Sequence, residues 1–551
     1  MPKRPFLLAF LLIVSIAIAL NEAYAGFYFQ KVNQSLNDIE TESVKKRVLL
    51  IPLDSRPPCK DFVIDLAQIS TIEIITPNSK LLDYFTIPGE PIKLRKWLID
   101  NVNGSDAIII SIYQLLYGGL IAAREGSLTN DDIDSLVEYL TKLRKTVPNT
   151  TIYAFSILPR MQPQQSIDNY QQRRALMAYS RLSGRAYSGL RVDDESIVEA
   201  FNEIKPENFQ SYISHFEECE KLNKRLIELA QNGTLDRLVI GLDDGEQYSI
   251  QNQLTDNLLQ TIKSNYAVDK ISLLHGADEI ALTLLAELVN SNVKNNLKIC
   301  VQYNNYEVST KVLPYMAVSI KDVINEKLSQ LHLEIVNNPE NADFTLFVSA
   351  NNGNNQDEKI SNANHIKSLI EAGHKIALVD LGWHFDKTET LLPVLIDCDI
   401  AVNSLIAYAG WNTASNSIGT AISQAVLYST SHNEIENLKF LNQRFIEDHF
   451  YLKDAIDTVN HALKKKGSYD TSYLDYGTEY EFATTVMRVA MDKRIADYKQ
   501  SNSFKAPIVI QLADGLHKIR LRDFEVDMSY PWPRTFEIRL KIDKLNYSEV
   551  K

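Results

Sequence analysis

Residues 48–58 read VLLIPLDSRPP, an apolar run that ends directly in Asp54, Ser55 and Arg56. The run lacks the apolar–polar alternation of a half-exposed strand, and such runs are typical of strands covered on both faces of a parallel sheet. The pattern predicts an internal strand whose carboxyl end carries charged side chains.

Similar short apolar runs recur along the chain, and helix-like segments such as Asp131–Thr146 and Ile280–Asn290 lie between them. Strand–helix alternation predicts an α/β fold. The runs outnumber the eight strands of a simple barrel, so we predict a barrel-like (β/α) domain with a second α/β unit. The predicted strands are Val48–Leu53, Ile72–Ile75, Ala107–Ile112, Thr151–Leu158, Leu238–Leu242, Ile271–Leu274, Ile299–Gln302, Phe344–Val348, Ile376–Leu381 and Leu405–Tyr408.

The same patterns divide the chain into five segments. After about residue 433 the pattern becomes helical, and the last fifty or so residues contain period-2 stretches that predict a small β element. We predict a signal peptide over 1–25, a leader segment over 26–46, a barrel-like catalytic part over 47–295, a second α/β part over 296–432, and a C-terminal helical and β region over 433–551.

The first 25 residues have the features of a secretory signal. Lys3 and Arg4 precede the apolar stretch Phe6–Leu20, and Ala23-Tyr24-Ala25 gives a small-x-small cleavage pattern. The stretch is short for a membrane-spanning helix, which needs about 20 apolar residues. We therefore predict an exported protein, whether secreted, periplasmic or at the cell surface. An uncleaved N-terminal anchor is the alternative, and only that alternative attaches the chain to a membrane.

Composition narrows the classes of function. The 551 residues include 57 Lys and Arg against 70 Asp and Glu, for a net charge of −13, which argues against a nucleic-acid partner. Apolar residues make up 45%, as in ordinary core-forming proteins. The sequence has no GxSxG elbow, P-loop or GxGxxG following a strand, so a serine hydrolase or a nucleotide cofactor is not expected. No cofactor of any other kind is predicted.

Polar and aromatic residues follow most of the predicted strands. In a parallel α/β fold the carboxyl ends of the strands share one face, and active sites are built there. We expect these residues to line one cleft and contact a carbohydrate or cell-wall glycan, with the aromatic rings as sugar-stacking surfaces. The candidate substrate-binding residues are Asp54, Arg56, Tyr113, Tyr117, His275, Asp278, Glu279, Trp383, His384, Tyr408, Trp411 and Asn412.

Asp243 and Asp244 form the candidate catalytic pair. Both come at the end of the predicted strand Leu238–Leu242, where the chain turns and both side chains can reach a cleft. Crowded carboxylates push their pKa values apart, so one can act as general acid while the other stays ionised, as glycoside hydrolysis requires. In a substrate-assisted variant the ionised group would orient an N-acetyl nucleophile.

Each of these residues also has a structural interpretation. Asp243-Asp244-Gly245 is a common turn or helix-cap sequence. Asp278 and Glu279 can stabilise a helix N-terminus. Asp54 and Arg56 can form a structural ion pair, and aromatic residues belong to cores more often than to binding surfaces.

A metal site is the main chemical alternative. Carboxylates and imidazoles suit several metals, but the sequence lacks HExxH, HxH and DxH spacings, so we predict no metal. The residues that could supply ligands are Asp54, Asp243, Asp244, His275, Asp278, Asp380 and His384.

Several stretches together carry a family resemblance. They are Ile51–Pro57, Tyr117–Leu120, Gly241–Asp244, Gly276–Glu279, Ala407–Thr413 and Pro531–Phe536. With them the chain, from about Lys46 nearly to its end, resembles an uncharacterised bacterial family, domain of unknown function 4127, which implies no particular activity. The Asp-Asp pair and the barrel-like order are also distantly similar to barrel glycosidases that cleave N-acetylhexosamine bonds, a fold-level analogy.

Taken together, these features favour an exported carbohydrate-active hydrolase in which Asp244 is the general acid and Asp243 the orienting carboxylate. The alternatives are a metal-dependent hydrolase of ester, amide or phosphate bonds and a non-catalytic glycan- or cell-wall-binding protein.

Overall fold

The first sheet consists of six strands in the order β2-β1-β3-β4-β5-β6, and every neighbouring pair is parallel. The computed structural model describes residues 45–550 apart from 168, 265–268, 295, 352–354, 385, 412 and 432. The predicted signal peptide over 1–25 and all but the last two residues of the leader segment over 26–46 lie outside the described residues. The strands are β1 (Arg47–Ile51), β2 (Glu73–Ile75), β3 (Ala107–Ser111), β4 (Thr151–Leu158), β5 (Arg237–Leu242) and β6 (Ile271–His275).

The second sheet consists of five parallel strands in the order β11-β10-β9-β7-β8. In both sheets the second strand lies on one side of the first strand and all later strands lie on the other side. The strand order therefore reverses beside β1 and beside β7, and open α/β sheets bind ligands at such reversal points. The strands are β7 (Lys298–Tyr303), β8 (Glu334–Val336), β9 (Phe344–Asn351), β10 (Ile376–Gly382) and β11 (Ala407–Ala409).

All ten strands predicted from apolar runs are present, and the mixed α/β class is confirmed. The barrel is not confirmed, because β2 and β6 are the two edges of an open sheet rather than neighbours that close it. Apolar runs indicate that a strand is buried on both faces, but helices can provide that cover as well as barrel closure can. The sequence pattern missed β8, whose residues are largely exposed.

Helices cover the faces of both sheets. The helices around the first sheet are Asp61–Ile69, Pro91–Asn101, Ile112–Leu116, Leu120–Glu125, Asn130–Thr146, Tyr170–Tyr187, Asp194–Asn202, Pro206–Gln231, Ile250–Ser264 and Ile280–Asn290. Those around the second sheet are Ile320–Gln330, Gln356–Glu371, Leu392–Asp397 and Ala414–Ser431. Short 3₁₀ turns occur at Pro57–Cys59, Ser79–Leu81, Tyr306–Thr310, Pro339–Asn341, Lys387–Glu389 and Val402–Ser404.

The second sheet connects the two parts of the core because its opposite faces pack against different clusters. On β10, Ala377 and Val379 join the cluster shared with the first sheet, whereas Ile376 and Leu378 join the cluster shared with the C-terminal region. Alternate residues of a strand point to opposite faces, so the apolar run Ile376–Val379 of β10 follows from its burial on both sides.

The C-terminal region is helical and then antiparallel. Its helices are Glu434–Arg444, Ile456–Lys465, Glu479–Gln500 and Asn502–Lys505, and a π-helical stretch, Phe445–Ala455, continues the first into the second. The antiparallel sheet has the order β12-β13-β14, with β12 (Ile508–Leu512), β13 (Gly515–Ser529) and β14 (Arg539–Glu549). The segment between β13 and β14 returns to the first sheet, where Trp532 Nε1 donates to Ser55 Oγ at 3.0 Å. Among the described helices, none combines the length and apolar character that crossing a bilayer requires.

Candidate functional site

A polar cavity of about 280 Å³ lies over the carboxyl ends of the first sheet's strands. Its lining comes from the loops after β1, β4, β5 and β6, from the helix Leu120–Glu125, from the second sheet's loops and from the β13–β14 segment. Its lining residues are Arg56, Leu120, Ile121, Arg124, Arg160, Gln162, Leu242, Asp243, Asp244, His275, Gly276, Ala277, Asp278, Tyr315, Met316, Thr413, Ser415, Asn416, Trp532, Arg534 and Phe536.

Asp243 follows β5 directly and is buried at the cavity floor. Arg124 donates to Asp243 Oδ2 from Nε at 3.1 Å and from Nη2 at 2.5 Å, and the amide of Asp244 donates to Oδ1 at 2.9 Å. Burial favours a higher pKa for Asp243, but the charges of Arg124 and Arg160 and these hydrogen bonds outweigh it and lower the pKa below its ordinary value. Asp243 is therefore ionised at neutral pH.

Asp244 is partly exposed in the cavity wall. Burial, together with the negative charge of Asp243, raises the pKa of Asp244 to about 7. No side chain among the described residues hydrogen-bonds its carboxyl group, so its proton can face a ligand. At neutral pH Asp243 is thus ionised while a substantial fraction of Asp244 is protonated, as a general acid beside an ionised carboxylate would be.

The ends of β4 and β5 are held together below this pair. Gln251 Nε2 donates to the carbonyl of Pro159 at 2.8 Å and to that of Asp243 at 3.3 Å. The amide of Gly245 donates to the carbonyl of Tyr315 at 3.2 Å, which ties the acidic turn to the second sheet's loop. Tyr315 has a φ of +66°, a left-handed conformation that is strained for a tyrosine, and its ring is half-exposed at the cavity.

Arg56 lies between two buried carboxylates. It donates to Asp54 Oδ2 from Nη2 at 2.6 Å and to Asp278 Oδ1 from Nη2 at 2.6 Å, with further contacts from Nε and Nη1. Burial would lower the pKa of Arg56, but Asp278 and Asp54 raise it well above the ordinary value. Its guanidinium also lies 5.3 Å from the ring centroid of Trp532. Both carboxylates are therefore already paired. Arg56 and Asp278 line the cavity, whereas Asp54 is completely buried and does not, which corrects the prediction that Asp54 contacts substrate.

Asp54, Cys59 and Asp278 are the described residues whose ligand atoms come close enough to hold one metal ion, all within 4.8 Å of one another. Arg56 Nη2 contacts both carboxylates, so the guanidinium already neutralises the charge that would attract a cation. Burial and the charges of Asp54 and Asp278 raise the pKa of Cys59 well above its ordinary value, which disfavours the thiolate that binds metals. The cluster therefore fits a buried ion-pair network better than a metal site.

Two further metal-ligand candidates, Asp380 and His384, do not line this cavity and have their own partners. Asp380 is buried and accepts the amides of Leu391 and Leu392 at 2.7 and 2.9 Å, where it caps the helix Leu392–Asp397. His384 Nδ1 lies 2.8 Å from Glu389 Oε1. The positions of Asp380 and His384 in the sequence did not indicate that Asp380 accepts these two amides or that His384 contacts Glu389.

His275 and Asp278 do reach the cavity, whereas Glu279 does not line it. His275 Nδ1 is 2.9 Å from Glu326 Oε1, so this carboxylate orients the ring. Glu279 is 1% exposed and accepts from Lys327 Nζ at 2.6 Å, and Lys327 is completely buried. The prediction that Glu279 binds substrate is therefore corrected: it forms a structural ion pair beneath the site.

Two glycines make this close packing possible. A Cβ at Gly276, whose φ is +114°, would lie 1.9 Å from Glu279 Oε1. A Cβ at Gly241 in β5 would lie 2.2 Å from Ile280 Cδ1 and 2.6 Å from the carbonyl of Gly276. Only glycine allows the loop after β6 to approach β5 and bring His275 and Asp278 towards Asp243.

Most of the predicted sugar-stacking aromatics are elsewhere. Tyr113 is buried with its hydroxyl 3.5 Å from Cys219 Sγ, and Tyr117 packs edge-on against it. Tyr408 is completely buried and donates to Asp380 Oδ2 at 3.2 Å. None of the three lines the cavity, which corrects those predictions, because strand ends that point into the core carry aromatics as readily as those that point into a cleft.

The remaining predicted contacts lie beside the cavity or outside the described residues. Trp383 and His384 line a separate, smaller cavity of about 30 Å³. Trp411 is buried, with its ring centroid 6.1 Å from that of Phe536, a cavity-lining residue. Asn412 lies outside the described residues.

The sequence patterns did not single out the cavity's other arginines or the aromatic residues of the β13–β14 segment. Arg160 follows β4 in Pro159-Arg160, and Trp532, Arg534 and Phe536 belong to the stretch that carries the family resemblance, so a signal existed for these. Arg124 lies at the end of the helix Leu120–Glu125 and had no such signal.

The four cysteines are free thiols.

A second cavity, of about 290 Å³, adjoins the first. Asp244 lines both cavities, as do Gln162, Tyr315 and Met316. The second cavity is otherwise lined by Met161, Gly245, Glu246, Gln247, Leu313 and Pro314. Asp244 therefore stands at the boundary between a charged cavity and a less charged one.

One comparison with known proteins gives a match. A family model described as "Protein of unknown function (DUF4127)" matches residues 48–541, which confirms the resemblance noted from the sequence. Comparisons with the curated proteins and with the solved structures give no significant match.

Proposed function

The chain belongs to the DUF4127 family, and from this premise we propose that it is an exported carbohydrate-active hydrolase. The observation that carries the proposal is the Asp243–Asp244 pair, in which an ionised carboxylate held by Arg124 stands beside a carboxyl group whose pKa is raised to about 7. Glycoside hydrolysis needs a proton donor near neutral pH and a negative charge near the cationic transition state.

In this proposal Asp244 donates its proton to the glycosidic oxygen as the bond to the anomeric carbon breaks. The ionised Asp243 stabilises the positive charge that develops on the sugar ring, or orients an N-acetyl group that attacks the carbon. Water then supplies a hydroxyl group to the anomeric carbon, and its remaining proton restores the acid form of Asp244. The two products are the free sugar and the released alcohol.

The position of Asp244 supports this role. A general acid for this reaction must reach the oxygen that joins the two halves of the substrate, and Asp244 lies where the two cavities meet. The sugar that is attacked would occupy the charged cavity, and the leaving group would occupy the second cavity beside Tyr315. Phe536, in the wall of the first cavity, would provide an apolar contact for the sugar ring.

Hydrolysis should depend on pH through the acid form of Asp244. With a pKa of about 7 for this group, kcat/KM is expected to be highest on the acidic side and to fall about tenfold per pH unit above about pH 7. The profile should be measured on an alkyl glycoside found by screening chromogenic glycosides, because a poor leaving group requires protonation. Asp243→Asn should move the alkaline limb to lower pH, since it removes the negative charge that raises the pKa of Asp244.

The matched control is Asp256→Asn, an exposed carboxylate on the helix Ile250–Ser264, which should leave the profile unchanged. A profile that stays flat from pH 6 to pH 9 would contradict the role of Asp244 as acid. Saturable glycan binding without any hydrolysis would instead identify a non-catalytic binding protein.

Export is proposed from the sequence of the first 25 residues. Expression of the full chain in a bacterial host should yield a mature protein that begins at Gly26 and is recovered outside the cytoplasm. The intact mass and the N-terminal sequence of the recovered protein measure this directly. Recovery of the chain with residues 1–25 still attached, in the membrane fraction, would support an anchor instead.

A further inference from the structure

The charged cavity contains one arginine that differs from the others in its surroundings. Four arginines line the cavity among the described residues: Arg56, Arg124, Arg160 and Arg534. Three of them have a carboxylate partner at hydrogen-bond distance. Arg56 contacts Asp54 and Asp278, Arg124 contacts Asp243, and Arg534 donates to Glu537 from Nε at 2.9 Å and Nη2 at 2.7 Å.

Arg160 has no ion pair or hydrogen bond with any residue that the structure describes. It follows β4 and lines the cavity, near enough to Arg124, Asp243 and Asp244 to interact with their charges but without a hydrogen bond or ion pair to them. Burial and the positive charge of Arg124 lower the pKa of Arg160, although Asp243, Asp244 and Glu125 oppose this. The guanidinium thus has negative charges nearby but no directly bonded counter-charge among the described residues. An anion bound beside it would supply the missing charge.

Arginine is well suited to this task. Its planar guanidinium can donate two parallel hydrogen bonds to a carboxylate or a phosphate, and such charge-assisted pairs are stronger than neutral hydrogen bonds. A neutral sugar placed in the cavity would leave the Arg160 guanidinium desolvated without a directly bonded counter-charge among the described residues. An acidic sugar would pair with it.

We infer that the sugar bound in the charged cavity carries an acidic group, a carboxylate or a phosphate, and that Arg160 binds this group. The inference rests on the proposed function, which places the attacked sugar in this cavity, and it adds the substrate class. Arg160 then binds the same sugar unit on which Asp244 acts. It would therefore also set the position of the anomeric carbon relative to Asp244.

Equilibrium binding tests the inference without any need for turnover. The wild-type protein is titrated calorimetrically with glucuronate, galacturonate, N-acetylmuramate and glucose 6-phosphate, and with the neutral partners glucose, galactose and N-acetylglucosamine. At least one acidic sugar should bind ten- to a hundredfold more tightly than its neutral partner, the effect of one charge-assisted contact. The carboxylate and phosphate probes show which acidic group is preferred.

Two variants test whether Arg160 causes the preference for acidic sugars. Arg160→Gln should reduce the binding of the acidic sugar to the level of its neutral partner while it leaves the neutral sugar unaffected. Arg225→Gln, which removes an exposed charge from the helix Pro206–Gln231, should preserve the preference. Because Arg160 forms no ion pair with a residue that the structure describes, its replacement should not unfold the protein, and a thermal melt checks this.

The outcomes separate the inference from the proposed function. Equal binding of acidic and neutral sugars, or a preference that survives Arg160→Gln, would overturn the inference even if neutral glycosides are hydrolysed with the help of Asp244. Acidic-sugar binding that depends on Arg160, in a protein that hydrolyses no glycoside, would support the inference and overturn the hydrolysis.

Discussion

Asp244→Asn is expected to lower kcat/KM on an alkyl glycoside by about 10²–10⁴-fold, the usual contribution of a general acid. Asparagine has nearly the same shape as aspartate but cannot give a proton to the glycosidic oxygen. Asp244 makes no hydrogen bond through its carboxyl group to a described side chain, so the change should disturb the cavity little. KM should change much less than kcat, because the acid acts mainly in the transition state.

A comparison of two leaving groups tests the role of Asp244 as general acid more sharply. A 4-nitrophenyl glycoside departs as a stable phenolate and needs little protonation, whereas a methyl or benzyl glycoside of the same sugar needs a full proton. The loss in Asp244→Asn should therefore be much larger for the alkyl glycoside than for the nitrophenyl glycoside. The ratio of the two losses distinguishes a general acid from a residue that only positions the substrate.

The control for this experiment is again Asp256→Asn, which removes the same charge at an exposed site and should retain wild-type kinetics. An equal loss on both classes of glycoside would show that Asp244 does not act as the proton donor. Full activity of Asp244→Asn on the alkyl glycoside would exclude the residue from the reaction altogether.

Arg56→Met is expected to lower the free energy of unfolding by about 3–5 kcal/mol, the usual effect of removing one partner from a buried ion pair. The guanidinium is shared by Asp54 and Asp278, whose side chains are 0% and 7% exposed. Methionine retains much of the apolar volume, so the lost stability arises from two buried carboxylates without a counter-charge. Urea unfolding at pH 7 measures the difference.

The pH dependence distinguishes this cause from simple loss of packing. Buried carboxylates without a cation favour the protonated form, so acidification should relieve the variant. In the wild type, burial already raises the pKa of Asp278, although Arg56 opposes this. The stability gap between Arg56→Met and the wild type should therefore narrow as the pH falls from 7 to 5. A gap that stays constant over this range would indicate lost packing instead.

Arg225→Met is the matched control, because Arg225 is 43% exposed and pairs with Asp134 and Glu228 at the surface. Surface ion pairs contribute about 0–1 kcal/mol, so this variant should unfold within about 1 kcal/mol of the wild type. A loss at Arg56 no larger than that at Arg225 would show that the buried network contributes little to stability.

The strands were predictable because a strand buried on both faces consists mainly of apolar residues, which are visible in its own sequence. The run Thr151–Leu158 coincides with β4, and the run Phe344–Val348 lies within β9. The long strand β13 was missed because charged residues interrupt its pattern, as its exposed positions allow. The barrel was expected from the number of strands, but closure depends on which distant strands pair, and local composition does not record that choice.

The candidate site was only partly predictable for the same reason. Asp243, Asp244, His275 and Asp278 could be found because strand ends share one face in a parallel fold. The difference between Asp278 in the cavity wall and Glu279 in a buried pair with Lys327 depends on the helix Ile320–Gln330, far away in the sequence. Neighbouring residues cannot indicate which partner a side chain will meet after folding.

By itself, then, the sequence determined the α/β class, the family and the acidic pair at the end of β5, because hydrophobic runs and their polar ends are local properties. Tertiary structure decided that the sheets are open and that Tyr113 and Tyr408 belong to the core. It also decided that Arg124 forms an ion pair with Asp243, whereas Arg160 has no such partner among the described residues. These features depend on contacts between segments far apart in the chain, and the charge and burial of each group follow from those contacts.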